Sequence, residues 1–388
     1  MPSHEFEPRR RRLLRGAAAS VAGVHLTGLA RAAERGVGGS EILLGQSVAL
    51  QGGKNLFTAE VMAGVATLFD AVNKTGGVAG RRLVLRTLDD DNTAARAEAN
   101  ARRLVEDGAF LLFGSVEGGP STAVASVASA QQVPFFGPMA GSPGLRRPHL
   151  PMVFPLRAEH REEFRALMRW ALDIGLKRVA LLHADSDVGR QHLENLRQIC
   201  TETRTAFGYG LPFKGDIDDG GIGALVDKLR NDPVEIVINH GSAGLYERLI
   251  RRAREVGLGV PFAGVNSGAT ELAASLGPLA QGMVFSQVMP SPWARKTALT
   301  REYQAALAAR FPGRPFSYGS LEGYATAKAL VSALRQVGGD LTRSSLLRVL
   351  RSADYDLGGL RVRYRNGDHE GSTFVDLAMV TRDGRFLQ

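Results

Sequence analysis

Apolar and polar positions follow two rhythms along most of the chain. Short unbroken apolar runs of strand length alternate with longer stretches in which apolar residues recur every three or four positions. Ile42–Leu50 predicts a strand ending in the loop Gln51-Gly52-Gly53. Val61, Val65, Leu68, Phe69 and Val72 then give a helix one apolar face, and the helix stops at Gly76-Gly77. Leu83–Leu88 predicts a second strand. Asp89-Asp90-Asp91-Asn92 leads into a helix with Ala97, Ala101, Leu104 and Val105 inward, and acids at that position suit capping and the helix dipole. Phe110–Phe113 runs into the loop Gly114–Gly119. Pro120 then fits the first turn of a helix carried on by Val124, Val127 and Ala128. A short strand, Val133–Phe136, opens the loop 137–144. Strand and helix in this order predict a parallel, doubly wound α/β sheet.

After Met152–Leu156 the rhythm restarts. Phe164, Leu167, Met168, Ala171 and Leu172 face inward on a helix, followed by strand Arg178–His183 and a helix opening at Asp185–Arg190. A strand ends near Phe213, helix 221–231 leads to strand Val234–Asn239, and helix 243–256 leads to strand Pro261–Gly264. A second unit of similar size predicts two lobes rather than one enlarged sheet. From Met283 the character changes: Pro290, Pro292 and Pro312 punctuate the chain, and helices are expected near 297–311 and 320–336. Leu360–Tyr364 and Phe374–Thr381 predict antiparallel strands joined by a loop around Asn366-Gly367-Asp368.

A chain of 388 residues with 44% apolar and 22% charged residues has room for about two globular domains. The net charge of +9 is concentrated in part at the start, where Arg9, Arg10, Arg11, Arg12, Arg15 and Arg31 face only Glu5 and Glu7. The run Arg10-Arg11-Arg12-Leu13-Leu14-Arg15, the apolar segment Gly16–Ala30 and the small residues around Ala32 have the form of an export signal over 1–32. The paired arginines and leucines resemble a twin-arginine leader, with Arg9 where Ser or Thr is familiar. The apolar segment is too short to span a bilayer. Cleavage near Ala32 and a periplasmic location are expected. The remaining basic residues are scattered, without aromatic interleaving, so no nucleic-acid partner is expected. The single cysteine, Cys200, falls on an apolar helix face and reads as a small buried hydrophobe.

In open α/β sheets, ligands bind at the C-terminal edge of the strands. Two loops there, Ser115–Gly119 and Met139–Ser142, have small polar residues suited to a carboxylate. The residues of both loops, Ser115, Val116, Glu117, Gly118 and Gly119 in one and Met139, Ala140, Gly141 and Ser142 in the other, are candidate ligand contacts. Gly114–Gly119 is not a Walker loop, and the eight histidines have no local metal-ligand spacing, so neither a cofactor nor a metal is expected. His240-Gly241-Ser242-Ala243-Gly244 approximates a hydrolase nucleophile elbow, with His369 far downstream. His240 occupies the first glycine position, where the strained turn needs no side chain. The stretch reads instead as a strand-end loop facing the cleft, with His240 either a ligand contact or a structural loop residue, and no enzyme activity is expected.

The segments Ile42–Leu50, Asn73-Lys74-Thr75-Gly76-Gly77-Val78-Ala79-Gly80-Arg81-Arg82, Asp89-Asp90-Asp91, Phe113-Gly114-Ser115, Val133-Pro134-Phe135-Phe136 and Leu321-Glu322-Gly323-Tyr324-Ala325 occur in a telling order. In them the chain resembles, over roughly 41–388, the type I periplasmic solute-binding proteins of ABC transporters, in the branched-chain amino acid (Leu/Ile/Val-binding) group. The resemblance implies two doubly wound parallel-sheet lobes, joined by three crossovers and closing on ligand by hinge motion. It places the first lobe at 41–156 plus 285–350 and the second at 157–284 plus 351–388. It puts the carboxylate on Ser115–Glu117 and Ala140–Ser142, with the loop from Gln51 to Asn55 bordering the cleft. A monomer serving a membrane permease is implied.

Two second-lobe positions depart from that family pattern. Asp187-Val188-Gly189-Arg190 stands where Tyr-Gly is common, and the uncharged Asn266 stands where an acid usually meets the ligand ammonium. A buried ammonium without a countercharge is costly, so Asp187 or Glu117 would have to supply it. A carboxylate or amide ligand has no such need. Tyr318 is a further candidate for the cleft wall, against packing at the core or hinge. The resulting expectation is an exported protein that captures a small amino acid, amide or carboxylate. A ligand-sensing subunit of a signalling system and an exported serine hydrolase are the alternatives.

Overall fold

The computed structural model describes residues 34–51, 56–241, 243–265, 269–365 and 367–387. The export signal expected at 1–32 and the candidate residues Asn55 and Asn266 lie outside the described residues. The first lobe opens with β1 (Glu41–Val48), α1 (Leu56–Lys74), β2 (Arg82–Asp89) and α2 (Ala94–Glu106). It continues with β3 (Leu111–Phe113), α3 (Gly118–Ala130), β4 (Phe135–Phe136) and β5 (Val153–Phe154). These strands form a parallel sheet in the order β2-β1-β3-β4-β5, with Leu44 opposite both Leu85 and Leu111. The order reverses at β1, the switch point where such sheets leave a crevice. On α2 the inward residues are those expected: Ala97, Ala101, Leu104 and Val105. The acids before it do not cap it. Thr93 does, accepting from the Arg96 N–H, while buried Asp90 accepts from Ser47 Oγ at 3.0 Å and so braces β1 against the loop.

The second lobe runs through α4 (His160–Asp173), β6 (Arg178–Ala184), α5 (Asp187–Thr203), β7 (Ala206–Phe213) and α6 (Asp219–Asn231). Then come β8 (Ile236–His240), α7 (Ala243–Glu255), β9 (Phe262–Gly264), α8 (Ala269–Leu276) and β10 (Val284–Gln287). Cys200 is buried on α5, as its apolar neighbours suggested. The chain returns to the first core with α9 (Ala298–Arg310), α10 (Tyr318–Val337) and α11 (Arg343–Leu350). It ends in β11 (Asp354–Asp356), β12 (Arg361–Arg365), β13 (Asp368–Gly371), β14 (Asp376–Val380) and β15 (Phe386–Leu387). The second sheet has the order β15-β14-β10-β9-β8-β6-β7, parallel except where β14 and β15 join its end. Among the described residues no helix is long and apolar enough to cross a membrane.

The C-terminal part differs from expectation. Leu360–Tyr364 does not pair with Phe374–Thr381: β12 pairs with β13, whereas β14 pairs with β10, Val284 opposite Met379. The small sheet β11-β12-β13 packs on the first core, with Val362 and Tyr364 buried and Tyr364 edge-on to Phe154 at 5.4 Å. Only the strands from Asp376 on join the second sheet, and β10 belongs there too, although 285–350 was expected in the first lobe. Alternation of apolar residues fixes which face of a strand is buried but not which sheet it joins.

One contact sets the packing of the first lobe and another lies at a crossover between the lobes. Helices α1 and α10 approach through reciprocal glycines. A Cβ on Gly64 would lie 1.9 Å from the Ser320 carbonyl oxygen, and one on Gly323 would lie 2.2 Å from that of Val61. In the crossover after β10, Trp293 stacks on Phe386 of β15 at 6.0 Å and meets Tyr318 of α10 edge-on at 5.3 Å.

Candidate functional site

The C-terminal strand edges of the two sheets face one another across a cleft of about 700 Å³. Its first wall is made by the loops after β3 and β4. The Met139 N–H donates to the Ser115 carbonyl at 2.8 Å, and Val116 and Met139 form a parallel bridge, so the two loops behave as one surface. At Gly118 a Cβ would fall 2.4 Å from Ser142 Oγ, so only glycine lets the start of α3 approach that hydroxyl. Ser142 Oγ is buried without a hydrogen-bond partner and lines the cleft. Beside it, the first turn of α3 has N–H groups that an α-helix cannot satisfy internally. An unsatisfied hydroxyl next to a helix N-terminus offers hydrogen-bond donors to an anionic group. Glu117 immediately precedes α3 with φ 69° and ψ 152°, a conformation that glycine tolerates and other residues adopt under strain.

The opposite wall comes from the start of α5 and the ends of β7, β8 and β9. Ser186 caps α5 by accepting from the Gly189 N–H, which sets Asp187, Val188 and Gln191 along the cleft. Val188 Cγ1 lies 3.5 Å from the Cβ position at Gly118, so the two walls meet there. Asp187 is exposed and paired with Arg190 at 2.5 Å. Phe213, Gly241 and Val265 complete this apolar side.

At the base three imidazoles from three elements converge: His160 in the first turn of α4, His192 on α5 and His240 at the end of β8. His192 and His240 have ring centroids 3.7 Å apart, and His160 lies 4.5 Å from His240 and 5.1 Å from His192. Burial holds all three below the ordinary histidine range, with His192 and His240 pushed well below it; Glu163 partly offsets this at His160. His160 Nδ1 meets Glu163 Oε2 at 2.5 Å. That carboxylate also accepts from Arg157 at 2.8 Å and, through its other oxygen, from Ser286 Oγ at 2.9 Å. Arg157, fully buried in the crossover after β5, lies 3.8 Å from Glu322 of α10 as well. The base of the cleft is thus wired to the crossovers.

Of the residues expected from sequence, Val116, Glu117, Ala140, Ser142, Asp187 and His240 line the cleft. Ser115 is buried behind the wall, donating to Ser121 Oγ at 2.7 Å. Gly141 backs onto His160, whose ring atoms would lie 2.7–2.8 Å from a Cβ there. Gln51 is exposed and not in the cleft lining. Tyr318 is buried against Trp293 and Phe386, at the crossover rather than in the cleft. His369 is not a hydrolase base at this site: it stacks on Phe154 at 4.1 Å, and its Nδ1 meets the Val153 carbonyl at 2.7 Å. His160 and His192 had no sequence signal, because two helices and a strand assemble the cluster and no local spacing records it.

The periplasmic binding protein family profile matches residues 41–385. The Leu/Ile/Val-binding protein homolog 3 of Brucella melitensis is 25% identical over 304 residues, covering 77% of this chain and 80% of the relative. The crystal structure of a possible leucine/isoleucine/valine-binding protein from Rhodopirellula baltica superposes with a TM-score of 0.83 at 26% identity, covering 92% of this chain and 98% of that one. A fatty acid ABC transporter substrate-binding protein from Thermomonospora curvata shares the fold, with a TM-score of 0.82 at 19% identity over 91% of this chain and 92% of that one. With its two lobes and facing strand edges, this chain belongs to the periplasmic binding protein family, in the type I, Leu/Ile/Val-binding group.

Proposed function

We propose that the protein is exported, loses its leader near Ala32 and captures a small polar organic solute in the periplasm for an ABC permease. It performs no chemistry on the solute. The lobes in this reading are 41–154 with 288–371, and 160–287 with 376–387. Closure about the crossovers around Arg157, Trp293 and Ser372 traps the solute. The observation that carries the reading is the unsatisfied Ser142 hydroxyl held against the glycines that open α3. A solute carboxylate satisfies both. The names of the relatives support an amino acid, and Glu117 is the acid in the cleft lining that would face its ammonium group. With Asp187 engaged by Arg190, a carboxylate or amide without an ammonium is the other solute class that fits.

Thermal-shift screening of the mature protein against amino acids, amides and carboxylates tests this. A solute present at about 100 times its Kd adds about 2.7 kcal/mol of stability and raises Tm. A responding carboxylate or amino acid whose effect shrinks in Ser142→Ala supports the proposal. A complete absence of shift across the three sets rejects it.

A further inference from the structure

The proposed carboxylate contacts, Ser142 and the start of α3, do not draw on the imidazole cluster at the base of the cleft. We propose that His160, His192 and His240 form a binding site for one divalent transition metal ion of the imidazole-preferring kind, with a coordination position open to the cleft. The donor nitrogens of the three residues lie within 4.8 Å of one another. Zinc holds imidazole nitrogens at about 2.0–2.1 Å, so small side-chain rotations bring this set around one ion.

The hydrogen-bond pattern is the second observation. His192 is wholly buried, and neither of its ring nitrogens has a partner; His240 Nε2 is likewise buried and unpartnered. Buried polar atoms are nearly always satisfied, and one left alone costs about 1–3 kcal/mol. Here such atoms converge from separate elements on a shared point, which a metal ion satisfies together. His160 supplies the third donor. Its Nδ1 is committed to Glu163, which fixes the ring and leaves Nε2 as the donor. Carboxylate–histidine pairs of this kind orient metal ligands and raise their basicity. Glu163 is itself held by Arg157 and Ser286, the Arg157 guanidinium is matched by Glu163 and Glu322, and the buried Arg146 nearby is faced by Glu159. Gly141 leaves the room that the His160 ring occupies.

The donor set names the class of ion. Three neutral nitrogens without a thiolate suit zinc, nickel, cobalt or copper, whereas magnesium and calcium take oxygen ligands. Three protein ligands leave a zinc ion one position short of a tetrahedron. His160 and His240 both line the cleft, so that position faces the solute space.

The test uses tag-free full-length protein stripped with a chelator and titrated with zinc, then with cobalt as an optical probe. One zinc per chain is expected, with a cobalt visible spectrum of low-coordinate, nitrogen-rich type. His192→Asn and His240→Gln should each weaken zinc binding at least tenfold while the metal-free variants melt cooperatively. If His192→Asn fails to fold, His240→Gln, at a half-buried position, gives the answer alone. Substoichiometric zinc, or affinity unchanged in a folded His240→Gln protein, overturns the site. The outcome is separable from the transport reading. A chain that binds zinc but no organic solute supports the site, and one that binds solute but no metal rejects it.

Discussion

At Glu117 a long acidic side chain is held in backbone space that glycine occupies without cost, at the lip of a cleft and directly before a helix. Strain of this kind amounts to about 1–3 kcal/mol and persists where surrounding structure enforces it. Glu117→Gly is therefore expected to leave the fold intact or raise its melting temperature, while lowering affinity for any solute with an ammonium group. Thermal melts and a titration on the same variant separate the two effects; a variant that melts lower and binds as before contradicts the assignment. Residues of this wall were legible in the sequence because a strand, a glycine-bounded loop and Pro120 stand in order. The other wall was less so. Tyr318 was open between the cleft wall and packing at the core or hinge, and it packs at a crossover; an aromatic residue at a helix start carries no mark of which neighbour it meets.

Among the elements, the α1–α10 contact decides how closely the first lobe can pack. The carbonyl of Ser320 sits where a Cβ on Gly64 would be, and Gly323 answers from the other helix. Gly64→Ala must push the helices apart, and overpacking of this kind costs about 1–3 kcal/mol or more. Urea unfolding is expected to show a lower midpoint with an unchanged slope. The inner faces of α1, α2 and α4 were readable because a periodicity of 3.6 identifies the buried side. The place of β12 and β13 was not, because Val362 and Tyr364 show a buried face without naming the core that receives it. The histidine cluster was illegible for a related reason: its members are neighbours only after two helices and a strand have docked.

Over the whole molecule, one pair of acids, on elements of different lobes, makes stability depend on pH. Glu60 lies on α1 and Glu271 on α8; burial, and then the nearby Glu271 carboxylate, push the Glu60 carboxyl up to about 8. The compact form therefore favours protonated Glu60. Its contribution is fully present below about 4.5, the ordinary value, and is lost as pH rises through about 8. Tm should fall across that window in the native protein and fall less in Glu271→Gln. Equal slopes for the two proteins would remove the pair from the account.

The chain has only two tryptophans, Trp170 and Trp293. Trp293, partly exposed, stacks on Phe386 of the second sheet and meets Tyr318 of the first core edge-on. Any change in the angle between lobes alters the ring faces that surround this indole. If the lobes close on solute as proposed, the protein carries an optical gauge of its own opening. In a Trp170→Phe background, emission should shift when solute is added and remain constant when the lobes are cross-linked shut, which allows closure to be timed without attaching a dye.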